Sequence, residues 1–484
     1  MSSPLRILFL AAEASPLVKV GGLADVAGSL PAVLRELGND IRVVLPLHPS
    51  LRELTRDATP IARFPIPTQF GAEEACAFRL TSKRFAAPLY LIDGPPLRGS
   101  DTVYHSYVEQ DFSKYIFFSR AALELARAID WKPTVVHAND WHTAAAVYWV
   151  QTAGRSDPFF ADVATLIAIH NLPYLGDGAA NALAQYGFPP SNHPLLPDWA
   201  RDALLPLALA HADMITAVSP TYAAEIQTPE FGCGVEQMIR ARADHVRGIL
   251  NGLDPVVWDP ARDKSLGARF DATTLNRRAR NKRALQKQFG LAQSSAPLLG
   301  IVARLDHQKG LDIALPALAS WADHGGQTIV LGTGNPDLEQ HYRELAVRAP
   351  ARSAVALKFD ARLANQIYGG ADLLLMPSRY EPCGLSQMIA MRYGCIPVVR
   401  AVGGLRDTVR DVARGRGTGF VFFESTPEAI IETLQRAQAL FVQPRRWQVV
   451  QRRAMRQDFS WRTSARAYVA AYRRAITFHN STHD

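Results

Sequence analysis

Residues 378–387 (SRYEPCGLSQ) gather Ser378, Glu381, Gly384 and Ser386 into one short stretch. It follows an apolar run, residues 371–377, with the character of a buried strand, and precedes a helical pattern from Ser386 to Tyr393. A strand that turns into a helix aims the first N–H groups of the helix past the sheet edge, where they can receive an anion. Gly384 lets that anion approach the backbone, and Glu381 sets a carboxylate beside it. A carboxylate next to a phosphate-sized hole suits a ligand with both phosphates and hydroxyls, such as a nucleotide sugar. The alternative is a plain helix start with an incidental acid.

Two further turns share this form. An apolar run from Arg6 leads into residues 19–26 (KVGGLADV) and a helix through Leu37. Gly21 and Gly22 leave room for a ligand, and Lys19 sets a cation at the rim. Another run, residues 298–304, leads into residues 306–310 (DHQKG), so Arg304 and Lys309 flank a turn suited to clamping a diphosphate. Each cation taken singly reads equally as a solvated surface charge. Three such turns spread over both halves of the chain argue for a site.

The elements that must position these residues alternate. Strand-like runs recur at residues 42–46, 89–92, 134–137, 165–169 and 214–218, with helical stretches such as 119–128 among them. A second series runs through 298–304, 328–331, 354–358, 373–376 and 396–399. Strands alternating with helices predict parallel sheets covered on both faces. The chain of 484 residues exceeds one ordinary core. The expected division is 1–251, 252–460 and a closing segment 461–484, with a hinge over 251–263.

Composition narrows the class. The chain is 48% hydrophobic and 20% charged, and no apolar run approaches the ~18 residues of a membrane span. Residues 7–12 are too short for a signal peptide and meet Glu13 at once. Cys76, Cys233, Cys383 and Cys395 lack metal-ligand spacing, so reduced thiols in a cytoplasmic setting are expected. The net charge of +8 derives largely from Arg dispersed over C-terminal helices (Arg445, Arg446, Arg452, Arg453, Arg473, Arg474), which reads as a solvated face rather than a nucleic-acid surface.

The turns keep company with residues 137–142 (HANDWH), 170–172 (HNL), 217–222 (AVSPTY), 249–252 (ILNG), 402–405 (VGGL) and 459–461 (FSW). In that order and at those separations the set resembles the family of bacterial glycogen synthases and starch synthases, over nearly the whole chain. The resemblance implies a GT-B arrangement: two Rossmann-like, doubly wound α/β domains facing across a cleft, acceptor side first and nucleotide-sugar side second, with the final helix returning to the first domain. It implies retaining transfer of glucose from ADP-glucose to the non-reducing end of an α-1,4-glucan, without cofactor or metal, since no Asp-x-Asp pair stands in a suitable setting.

The resemblance also distributes roles. Arg304 and Lys309 would stabilise the leaving diphosphate, and Glu381 would hold donor-sugar hydroxyls rather than attack. His170 would face the same sugar, although structural hydrogen bonding is the common role of a His at a strand end. Asp140 would stand near the acceptor or else cap the next helix; Asp25 is a ligand-facing or a surface acid. Donor contacts are implied for Lys19, Gly21, Gly22, Asn171, Asn251, Cys383, Gly384, Leu385 and Ser386. Trp141, Tyr104 and Tyr174 are candidates to stack on glucan rings, or core aromatics.

Three positions depart from the pattern. Ile389 stands where related transferases carry a second Glu, Val20 where Thr is common, and Asn139 where His is common. Preference for ADP over UDP rests on the resemblance alone. Two rival classes remain. A different enzyme of the same architecture, such as a sugar-nucleotide epimerase or phosphorylase, would lack the glucan motifs or need a cofactor lysine and a longer chain. Against a non-catalytic glucan-binding protein, the joint presence of Lys19, Arg304, Lys309 and Glu381 favours an enzyme.

Overall fold

The computed structural model describes residues 3–81, 85 and 87–481. The chain divides into two compact units, Met1–Gly252 together with Trp461–Asp484, and Leu253–Ser460.

The first unit is built on nine strands: β1 Arg6–Leu10, β2 Asp40–Pro46, β3 Ala62–Thr68, β4 Gly71–Leu80, β5 Leu89–Asp93, β6 Val135–Asn139, β7 Ala164–Ile169, β8 Met214–Ala217 and β9 Val246–Gly248. They lie in the order β3-β4-β5-β2-β1-β6-β7-β8-β9. From β5 to β9 every pairing is parallel. The inner strands β6, β7 and β8 are buried residue after residue, the pattern of strands covered on both faces. The expected all-parallel sheet is corrected at one edge, where β3, β4 and β5 pair antiparallel. Pro65 and Pro67 lie two residues apart on β3, so their missing donors fall on one side of the strand, which is tolerated at an edge.

The strand order reverses between β1 and β6: the chain winds outward from β1 to β2 and β5, then restarts on the other side. At such a switch point the loops leaving the carboxyl ends of the two central strands diverge and leave a crevice. Residues 11–21 leave β1 there, and Asp140 leaves β6.

The second unit repeats the plan with β10 Leu298–Val302, β11 Gln327–Leu331, β12 Ser353–Ala356, β13 Leu373–Met376, β14 Ile396–Arg400 and β15 Phe420–Phe422, ordered β12-β11-β10-β13-β14-β15 and parallel throughout. Its reversal falls between β10 and β13, the strands that precede Lys309 and Glu381.

The helix Trp461–Ser481 completes the first unit. Trp461, Ala465, Tyr468, Tyr472 and Ala475 recur at helical spacing and join Ile7 and Phe9 in one core, while Arg473 and Arg474 face solvent. Three polar contacts fix its register. Ser464 Oγ donates to Leu250 O, Tyr472 Oη lies 2.7 Å from His137 Nδ1, and His479 reaches Asp213. His479 is buried; Nδ1 lies 3.2 Å from Asp213 Oδ2 and Nε2 2.8 Å from Ala161 O. Both partners are acceptors, so the ring is held as an imidazolium, and Asp213 outweighs burial to raise its pKa above the ordinary value.

A raised histidine pKa contributes stability that is full below the unfolded value near 6.5 and vanishes as pH climbs through the folded one. His479→Gln should therefore lower the unfolding temperature of the first unit clearly at pH 6 and far less at pH 9. Thermal unfolding of both proteins at the two pH values checks this.

Candidate active site

In the second unit the two turns flanking the switch point are joined. Lys309 Nζ sits 2.9 and 2.7 Å from the two Glu381 carboxylate oxygens, and Ser378 Oγ donates to Glu381 Oε2 at 2.9 Å. Glu381 is buried and the Lys309 side chain is 18% exposed. Arg379 ties the turns from the other side, forking onto Asp312 at 2.6 and 2.7 Å and donating to His307 O at 2.8 Å. Gly310 is left-handed (φ 63°), and a Cβ there would lie 2.1 Å from Pro377 O, so only glycine lets the turns approach. Gly403 and Gly404 press in the same way on the carbonyls of Glu381 and Cys383.

Cys383, Gly384 and Leu385 carry this loop into the helix Ser386–Arg392, whose N-cap Leu385 offers no side-chain cap, leaving its first N–H groups to other partners. Cys383 is buried and its carbonyl accepts from Gln387 Nε2, so it serves the loop through its backbone. Arg304 stands apart, 60% exposed and leaning on Asp306 at 3.3 Å and Gln308 at 3.2 Å.

In the first unit Glu13, which sequence reasoning did not single out, organises the glycine turn. Its carboxylate accepts from Val20 N at 2.5 Å and Gly21 N at 3.0 Å, and a Cβ on Gly21 would come within 3.2 Å of it. The Gly21 N–H is thus engaged inside the protein, whereas a Cβ on Gly22 would meet nothing within 4 Å. Burial raises the Glu13 pKa against the pull of those two donors. Lys19 Nζ bridges both Asp25 oxygens at 2.7 and 2.8 Å, so Asp25 is a partner of the lysine.

Asp140 does not cap the helix Trp141–Gln151 that follows it. Its carboxylate accepts instead from His170 N at 2.7 Å and Asn171 N at 3.3 Å, and its backbone takes φ 53°, ψ −173°, a region nearly reserved for glycine. Burial pushes its pKa up to about 7, against those two N–H donors. Asn139 Nδ2 donates to Leu10 O at 2.7 Å, so its Oδ1 is the acceptor for His170 Nε2–H at 2.8 Å. That leaves His170 Nδ1 with its lone pair. Burial lowers the His170 pKa to about 3, so the ring is neutral and can accept a hydroxyl hydrogen bond. The buried Oδ1 atoms of Asn171 and Asn251 have no partner among the described residues.

The aromatic expectations divide. Trp141 is corrected: it is buried, packed edge-on against Phe112 and Tyr115 at 6.0 and 5.5 Å and tilted over His142, with no face for a sugar. It opens a helix whose side chains are nearly all buried, and that burial decides its role. Tyr104 is half-buried against His142, its hydroxyl in the field of the Glu13 carboxylate. Tyr174 is 54% exposed and keeps an open face.

Residues 6–241 match the starch synthase catalytic domain family, and residues 282–446 match the glycosyl transferases group 1 family. A glycogen synthase from Syntrophotalea carbinolica is 40% identical across 99% of this chain and 100% of its own. The one from Gloeobacter violaceus is 40% identical across 98% of this chain and 99% of its own. The chain belongs to the glycogen and starch synthase family of glycosyltransferases. The catalytic domain of starch synthase IV from Arabidopsis thaliana, solved bound to ADP and acarbose, superposes with a TM-score of 0.88 at 32% identity, covering 98% of this chain and 100% of that one. Sucrose-phosphate synthase from Thermosynechococcus elongatus, 20% identical with a TM-score of 0.62, is alike in fold alone. This member of the glycosyltransferase family thus has the GT-B fold class. Among its described residues no helix is long and apolar enough to cross a membrane.

Because Asp140 holds its proton to about pH 7 when folded and loses it near pH 4 when unfolded, its contribution to stability falls as pH rises across that window. Asp140→Asn keeps an oxygen acceptor for the two N–H groups and removes the titration. Its unfolding temperature should gain on the parent protein between pH 4.5 and 7.5 while glucosyl transfer is largely retained, because the backbone of His170 and Asn171 is still held. Melting curves and turnover across that range are the measurement.

Proposed function

We propose that the protein transfers glucose from ADP-glucose to the non-reducing end of an α-1,4-glucan, with retention of configuration. The observation that carries this reading is the Lys309–Glu381 pair, held at a switch point beside an uncapped helix start. Breaking the bond between glucose C1 and the phosphate oxygen leaves charge on ADP while the sugar gains oxocarbenium character. Fixed positive charge at the leaving oxygen lowers that barrier. Lys309 supplies it, with Arg304 at the outer rim, exposed enough to turn toward a diphosphate. Glu381, already committed to Lys309 and Ser378, orients sugar hydroxyls and is not the nucleophile.

The acceptor hydroxyl then bonds to C1 on the face the phosphate leaves, and its proton passes to the departing phosphate oxygen. In the first unit, which we assign to the acceptor, neutral His170 accepts a sugar hydroxyl, and Asp140 holds the backbone of His170 and Asn171 in place. Lys19 with Asp25, and the open side of Gly22, are further donor contacts. Tyr174 is the aromatic surface left for glucan stacking. Curated relatives named glycogen synthase, and a related structure solved with ADP, support the glucan and the adenine nucleotide. We infer a cytoplasmic setting, in which the four cysteines remain thiols.

Parallel assays with ADP-glucose and UDP-glucose on glycogen should give incorporation from the ADP donor, undiminished by EDTA because protein cations already balance the leaving group. Preference for UDP-glucose, or a need for added magnesium, would overturn those parts of the proposal. Arg304→Ala, at an exposed position, should cost about 10²-fold in turnover without loss of stability. Lys309→Ala should cost at least as much and also destabilise, since it leaves Glu381 buried without its cation. Turnover alongside circular-dichroism melts separates the two effects, and near-native turnover in either folded variant would refute the clamp.

A further inference from the structure

The neutral ring of His170 has two forms. With the proton on Nε2, Nδ1 accepts a hydrogen bond; with the proton on Nδ1, that atom donates instead. The titratable groups that face the ring do not make the choice. Burial holds His142 neutral, and burial with the neighbouring His170 holds His137 neutral against the weaker pull of Asn139. Asp140 reaches only the backbone N–H groups of His170 and Asn171.

Asn139, wholly buried at the end of β6, does make it. Its Oδ1 lies 2.8 Å from His170 Nε2. Half a rotation of the amide would exchange its oxygen and nitrogen and so reverse the form of the ring it favours. Leu10 forbids that turn. Its carbonyl receives Nδ2 at 2.7 Å, and an exchanged amide would set two oxygens against each other there. The carbonyl is itself fixed, because Leu10 ends β1, the strand paired with β6. The Asn139 backbone is fixed as well, its N–H donating to Thr143 Oγ1 at 2.6 Å and its carbonyl accepting from the same hydroxyl at 2.9 Å. Sheet, amide and imidazole thus form one directed series of hydrogen bonds that ends on a bare Nδ1.

We propose that Asn139 is a positioning residue that sets specificity for the transferred sugar: by fixing His170 in its Nε2–H form, it makes Nδ1 an acceptor only. The site then favours a sugar that offers Nδ1 a hydroxyl hydrogen. It rejects one that offers only a lone pair in that place, such as a fluoro group. That the sugar is glucose carried on ADP rests on the transfer proposed above; the state of the ring does not.

Nitrogen–proton correlation spectra of the full chain, isotope-labelled at histidine, read the ring directly, with His170 identified by the signals missing from His170→Gln. At neutral pH the parent should show the Nε2–H form alone. Asn139→Leu, similar in shape but without the amide, should show the two forms averaged. Specificity is read as kcat/KM for ADP-glucose and its monofluoro-deoxy analogues. At one sugar position fluorine should cost the parent about tenfold or more, and Asn139→Leu should lose most of that penalty while the other positions keep theirs. A general loss of packing would slow every analogue alike. Asn139→Ala repeats both readings if the leucine side chain prevents folding. An Nδ1–H or mixed ring in the parent, an unchanged ring in the folded variant, or an unchanged pattern of fluorine penalties would each overturn the proposal. The spectra need no nucleotide sugar, so a failed functional assignment, seen as no turnover of ADP-glucose, is told apart from a failed role for Asn139.

Discussion

Lys309 and Glu381 form an ion pair largely withdrawn from water, and the second unit is arranged around keeping it so. Desolvating two charges costs several kcal/mol, which mutual attraction offsets only when geometry is fixed and remaining lone pairs are satisfied. Here Ser378 supplies the additional donor, the Arg379–Asp312 fork locks the two turns, and three glycines permit backbone contacts no side chain would allow. Adjacent strands β10 and β13 bring the turns together in the first place. An ammonium so placed has little freedom left to lose.

The first unit uses the same topological position with the opposite electrostatics. Its buried carboxylates, Glu13 and Asp140, are held by backbone N–H groups rather than by a neighbouring cation, and burial raises both pKa values. Lys19, the cation nearest the glycine turn, is engaged by Asp25. One switch point holds a cation paired with a carboxylate; the other holds two carboxylates bonded to backbone N–H groups.

Much of this was legible in the sequence because buried parallel strands are continuous apolar runs and strand-to-helix turns carry their glycines and charges locally. The runs at 165–169 and 373–376 fall on β7 and β13. The edge hairpin of β3 and β4 was not legible, since Pro65 and Pro67 disguise a strand whose outer edge needs no donors. The helix Phe112–Ala128 begins earlier than the expected 119 because aromatic residues bury its first two turns. Glu13 escaped notice because its partners are backbone groups seven and eight residues away, which no side-chain motif announces. Trp141 misled for the converse reason: an aromatic in a functional motif reads the same whether its face is open or covered.

The order of the units along the chain has a consequence for biosynthesis. The strands of the first unit leave the ribosome early, yet the helix Trp461–Ser481 that supplies part of their core is translated last, after the whole of the second unit. The second unit is contiguous and can complete its core while still attached to the translating ribosome. The first cannot. For the time needed to make more than two hundred residues, at about 5–20 residues per second, Ile7 and Phe9 wait beside an open seam.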